Sequence, residues 1–186
     1  LVKVTAFDGN TTIDKLTTIT VEDPNVTFSS KTICISANVL PTPGVDGCPS
    51  GAAVQVVTNW ANLGTLSSTY KRILLKRGDT WSASSRANIA NGPGLIGAFG
   101  SATDRPKVNI NSNNNALYFS NSSDWRVMDL EIFSSESQTG VADNNERIPL
   151  RSYASKYLTI LRCHFHDSYL AVLPEMSDDF SVFDSE

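Results

Sequence analysis

The sequence lacks any long apolar run. Nothing in it approaches the ~20 consecutive apolar residues of a membrane-spanning helix, so no such span is expected. It also lacks a basic stripe. The net charge is −4, and the 15 Lys and Arg residues are scattered apart from Lys71, Arg72, Lys76 and Arg77, which flank one apolar run. A nucleic-acid face needs clustered cations, and that class of partner is set aside. Charged residues make up only 18%, while Ser, Thr and Asn are abundant. That mix is poor in strong helix formers, which excludes a long-helix architecture and suits a secreted all-β protein. There is no basic start followed by an apolar centre, the mark of a secretory leader, and the chain opens on Leu1. The last repeat breaks off in mid-strand at Asp184-Ser185-Glu186, so both ends are expected to be cut from a longer protein.

What is present is a repeat. Ile73, Leu95, Leu117, Leu150 and Val172 are spaced by 22, 22, 33 and 22 positions. Val108, Leu130 and Cys163 follow at 22 and 33, and so do Ile110, Ile132 and Phe165. Shared spacing with one shared excess of 11 is the signature of an internal repeat. Lys107-Val108-Asn109-Ile110-Asn111 alternates apolar and polar residues, which reads as a strand with one face inward. Each unit holds at least two short strands joined by Gly, Asn, Ser or Asp turns, and that suits one coil of an all-β parallel solenoid with rungs of about 22 residues. Lys107, Asp129, Arg162 and Asp184 form an outward column of alternating sign, which supports the register. A leucine-rich repeat has a similar period, but the Gly/Asn/Ser-rich connections and the second apolar column count against it.

In chain order, residues 1–22 read as a β-hairpin, with Val2, Val4 and Ala6 alternating before an Asp8-Gly9-Asn10 turn. Residues 24–66 read as a linker and cap, with a short strand at Thr32–Ser36. Val54, Val57, Trp60 and Ala61 have helical spacing and predict a short capping helix within Ala52–Leu63. The solenoid is assigned to residues 67–186. Cys34 and Cys48 lie 14 apart in a Pro/Gly-rich stretch; a disulfide between them fits an extracellular setting, and two free thiols are the other reading. Cys163 occupies a core column and reads as a small buried hydrophobe.

The run Arg72-Ile73-Leu74-Leu75-Lys76-Arg77-Gly78-Asp79-Thr80-Trp81, the Gly92-Pro93-Gly94 turn and the strand Leu158–Phe165 together resemble the right-handed parallel β-helix of the pectin-lyase-like superfamily. The first run resembles that family's entry strand, which follows a short capping helix. Residues 1–23 resemble the closing strands of an immunoglobulin-like or PKD module. The β-helix resemblance covers roughly 52–186. It implies a secreted or cell-surface protein that binds or degrades polysaccharide, as a lyase or glycoside hydrolase, or a non-catalytic adhesive solenoid that stacks end to end through its unpaired strand edges.

Chemistry is expected where the extra 11 residues fall, in the polar segment Phe133–Ile148, since in the resembling enzymes such loops wall a substrate groove. Beside it, His164 and His166 alternate with inward Cys163 and Phe165 and so point outward together. They are the candidate acid/base pair, or ligands for a metal through neutral imidazole, and a solvated face with two incidental histidines is the other reading. Arg162 is the candidate clamp for a sugar carboxylate. Glu131 stacks one rung before His164 and Glu186 one rung after; Glu131 and Asp167 are candidate orienting, substrate-binding or metal-ligating groups. Glu175, Asp178 and Asp179 form an acidic corner. The resemblance implies calcium at such clusters, bridging to acidic sugars, while a solvated turn is the other reading.

Overall fold

The computed structural model describes residues 2–7, 12–17, 23–111, 114–135 and 147–186. The strands β1 (Val2–Phe7) and β2 (Thr12–Thr17) form an antiparallel hairpin with Val2 opposite Thr17. Next come α1 (Pro24–Thr27), a 3-10 turn at Ser29–Lys31, β3 (Thr32–Ser36), β4 (Ala53–Val56) and α2 (Asn62–Thr69). Thirteen strands follow: β5 (Arg72–Lys76), β6 (Thr80–Ala83), β7 (Ala87–Ile89), β8 (Gly94–Phe99), β9 (Lys107–Ile110), β10 (Asn115–Ser120), β11 (Trp125–Met128), β12 (Glu131–Phe133), β13 (Ile148–Tyr153), β14 (Lys156–Leu161), β15 (His164–His166), β16 (Val172–Glu175) and β17 (Asp178–Phe183).

These strands build three parallel sheets. One has seven strands in the order β17-β14-β11-β8-β5-β3-β4; the others have four each, β16-β13-β10-β7 and β15-β12-β9-β6. From β5 onward the chain visits the three sheets in strict rotation, so each strand pairs with one laid down a full cycle earlier. The protein is mostly β, and each cycle holds three strands. β3 and β4 belong to the seven-stranded sheet, so the stretch read as linker supplies two strands of the main body.

The apolar faces of the three sheets meet in one core running from Ile33 to Phe165. Trp60, Trp81 and Trp125 are fully buried there, and each indole N–H donates to a carbonyl of another cycle: Trp60 to Ala116, Trp81 to Val57 and Trp125 to Ala90, at 2.7–2.9 Å. Burial of a large apolar side chain contributes roughly 1.5–3 kcal/mol, and the paired N–H avoids the cost of an orphaned donor. The buried Asp79 accepts from the Ser36 hydroxyl, the Ala37 N–H and the Asn38 amide, tying the end of β3 to the corner after β5.

Three expectations need correction. Residues 53–56 are strand β4, and the helix lies further on, at Asn62–Thr69. The helical spacing misled because Val54 packs on the outer face of the sheet while Val57 and Trp60 enter the core. The single column from Ile73 to Val172 also splits. Leu117, Leu150 and Val172 do stack, but Leu117 lies on Ala87 in the four-stranded sheet. Leu95 pairs with Arg72 and Arg126 in the seven-stranded sheet and faces outward, against a cluster of Cys34, Cys48, Ala52, Leu74 and Phe99. Val108 stacks on Ile132 and Phe165, 24 and then 33 positions on, rather than on Leu130. A slip of two residues keeps the same side chains inward, so alternation alone does not fix that register.

The corners stack as regularly as the strands. Asn121, Ala154 and Met176 form one column of left-handed residues, Asp124, Tyr157 and Asp179 a second, and Asp129, Arg162 and Asp184 a third, all with φ between 46° and 61°. In each column the steps are 33 and 22 positions. Ser122, Ser155 and Ser177 form a ladder just after the first column. The Ser155 hydroxyl accepts from the Ser122 N–H at 3.2 Å, and the Ser177 hydroxyl accepts from the Ser155 N–H at 3.4 Å. Cys34 and Cys48 are joined by a disulfide that straps the 37–52 loop across the outer face of the seven-stranded sheet.

Candidate functional site

The sheet formed by β6, β9, β12 and β15 presents a polar outer face, because its apolar residues alternate inward. Two outward columns result. Thr80, Lys107, Glu131 and His164 are in register, as are Ser82, Asn109, Phe133 and His166. Short strands with strict alternation thus bring residues from four cycles onto one surface.

Glu131 and the two histidines meet at its end. The His164 and His166 rings lie 4.5 Å apart, centroid to centroid, inclined by 30°. His166 stacks flat on Phe133 at 5.1 Å. Its Nδ1 is 2.7 Å from the Asp167 carboxylate and its Nε2 is 3.4 Å from the Glu131 carboxylate. Glu131 is also 3.3 Å from the Lys107 ammonium. One ligand atom from each of Glu131, His164 and His166 lies within 4.8 Å of the other two, and all three residues are half-buried. The Glu186 backbone follows as expected: its N–H donates to Cys163 and its carbonyl accepts from Phe165, which places it opposite His164.

Other candidates fare differently. Two donors of the Arg162 guanidinium go to Asp129, at 2.8 Å each, which ties Arg162 to the corner while its side chain stays partly exposed. The hydrogen bond to Asp129 pushes the Arg162 guanidinium further above its ordinary range. Its column partner is therefore Asp129, while Lys107 pairs with Glu131. The acidic corner does not converge: Glu175 is paired with Arg151 and Asp178 with Lys156. Among the described residues, the cluster able to hold a metal is Glu131, His164 and His166, not Glu175, Asp178 and Asp179. Its two nitrogens and one carboxylate suit calcium poorly, since that ion takes 6–8 oxygens. Burial pushes the Cys163 thiol up to about 11, so it is no nucleophile. Most of the Phe133–Ile148 segment, residues 136–146, lies outside the described residues.

The sequence reading missed the pocket beside Glu131. It holds about 340 Å³ and is lined by Arg77, Thr103, Asp104, Arg105, Asp129 and Glu131. Among the described residues neither Arg77 nor Arg105 has an ion pair; the two cations share the recess with the carboxylates of Asp104, Asp129 and Glu131, and Glu131 links it to the histidines. Arg77 sits in the corner after β5 and Arg105 in the loop before β9, positions that no strand periodicity flags. The three comparisons with known proteins agree: no family model, no curated protein and no solved structure matches this chain.

Proposed function

We propose that the three sheets are the walls of a right-handed parallel β-helix of the pectin-lyase-like kind, and that its outer face at β9, β12 and β15 binds and cleaves an acidic polysaccharide outside the cell. The strict rotation of strands among three parallel sheets supports the β-helix, the antiparallel β1–β2 hairpin suits the closing strands of a PKD-like module, and the Cys34–Cys48 disulfide supports the extracellular setting. The observation that carries the functional reading is the juxtaposition of the Arg77 and Arg105 recess with Glu131, His164 and His166.

The roles follow from the contacts. Arg77 and Arg105 neutralise a uronate carboxylate, which acidifies the proton on the adjacent carbon. His164, which lies beside the His166 ring and the Glu131 carboxylate, takes that proton as general base. The electron pair left behind forms a carbon–carbon double bond as the glycosidic C–O bond breaks, and the leaving oxygen takes a proton from water. Glu131 and Asp167 are both committed to His166, which favours elimination over hydrolysis by two separated carboxylates.

The test is to incubate the chain with polyuronates and with neutral glycans, following binding by calorimetry and unsaturated products by ultraviolet absorbance. Binding should be confined to polyuronates. Arg105→Gln should weaken it about tenfold, and His164→Ala should lower turnover by roughly 10²–10⁴. Equal binding to neutral glycans, or none to any glycan, overturns the proposal. A second reading, a non-catalytic adhesive solenoid stacking end to end, is favoured by the terminal strands β16 and β17, where Met176, Val182 and Phe183 are exposed. Concentration-dependent association without glycan binding would select it.

A further inference from the structure

The His166 ring has a carboxylate at each nitrogen. Asp167 takes the Nδ1–H at 2.7 Å, so a neutral ring presents a lone pair at Nε2. That lone pair faces the Glu131 carboxylate across 3.4 Å. A carboxylate cannot donate to it. Two lone-pair donors turned toward one another are satisfied by a cation between them, either a proton on Nε2 or a metal ion.

The distances suit a metal. Ligand atoms around a tetrahedral ion with bonds of ~2.0–2.1 Å lie about 3.3 Å apart, close to the Glu131–His166 separation. A ring nitrogen of His164 lies within 4.8 Å of ligand atoms of Glu131 and His166, and a turn of the outward ring would bring it to bonding distance. Phe133 holds the His166 ring flat from one side and Asp167 fixes its tautomer. A carboxylate that receives the second ring N–H is the usual partner of a metal-bound histidine. Two imidazoles with one carboxylate leave a fourth position open, the arrangement of a zinc-class ion that binds water or substrate.

We infer that Glu131, His164 and His166 bind one divalent transition-metal ion of the zinc class, with Asp167 orienting His166. This goes beyond the polysaccharide reading and depends only on the geometry of the cluster; a bound ion takes the His164 lone pair, so His164 acts as a base only in the metal-free chain. The Lys107 ammonium is the natural competitor for Glu131, and the ion would share or replace that contact.

The experiment uses the full chain, stripped with a chelator and with no polysaccharide present. It is titrated with Zn²⁺ by calorimetry and with Co²⁺ by visible absorption. The expected result is one ion per chain with micromolar or tighter affinity, unaffected by excess Ca²⁺, and Co²⁺ bands of low coordination number without a thiolate charge-transfer band. Asp167→Asn should weaken binding by roughly 10–100-fold, and His166→Ala should weaken it further. Asp167 is an exposed side chain, so that variant reports even where a histidine variant fails to fold. Affinity no tighter than millimolar, binding unchanged in both variants, or a thiolate band implicating Cys163 would overturn the inference. Failure of the polysaccharide assays would leave it standing.

Discussion

Single residues in this protein are governed by whether the backbone turns left-handed and by what a Cβ would touch. Ala154 has φ 49° at a corner, a conformation that costs an L-residue roughly 1–2 kcal/mol. Gly94 lies under the Trp125 ring, where an added Cβ would come within 2.5 Å of ring carbons. The same pair of amino acids should therefore act in opposite senses. Ala154→Gly is expected to raise the unfolding free energy measured in urea by a few tenths to about 1 kcal/mol, after the entropy cost of glycine in the unfolded chain. Gly94→Ala should lower it by about 1–3 kcal/mol through overpacking. Equal shifts of one sign would refute this account. The outward histidines were legible in the sequence because alternation alone sets which way a strand residue points. Arg77 and Arg105 were not, because they lie in corners, where no period applies. The Asp129 partner of Arg162 was legible from spacing, and the pair ties two successive corners together.

At the scale of elements, what repeats is the corner as much as the strand. The steps of 33 and 22 positions hold for the Leu117 column, the left-handed residues and the Ser122–Ser155–Ser177 ladder alike. The shared excess in the sequence was thus a sound signal. Earlier steps vary, with Leu95 reaching Arg126 and Lys107 reaching Glu131 over different lengths, because corners of unequal length join strands of fixed pairing. Apolar spacing of 22 through that region was coincidence among alternating residues. The ladder makes its own prediction. Ser155 is buried, accepts from Ser122 and donates to carbonyls of Phe119 and Tyr153. Ser155→Ala strands the Ser122 N–H and should cost about 1–3 kcal/mol in denaturant unfolding. A cost below a few tenths would show that the ladder is incidental.

For the molecule as a whole, the thiols give a direct count. The sequence has three cysteines, of which Cys34 and Cys48 are joined and Cys163 is buried. A thiol reagent should modify none in the native protein, one after denaturation without reductant, and three after reduction. Native labelling of Cys163 would contradict its place in the core. The all-β class and the parallel pairing of the last cycles were readable from the sequence. Of the two strands within 24–66, β3 was readable at Thr32–Ser36, while β4 was not, because the strapped loop gives the seven-stranded sheet a second apolar face and erases the usual alternation. The parallel ladder also sets a limit on what the outer face can become. Neighbouring rows are held about 4.8 Å apart by backbone bonds, whatever side chains they carry. New chemistry there is a matter of changing pegs in a board whose holes are already drilled, and any ligand that spans several rows must fit that fixed interval.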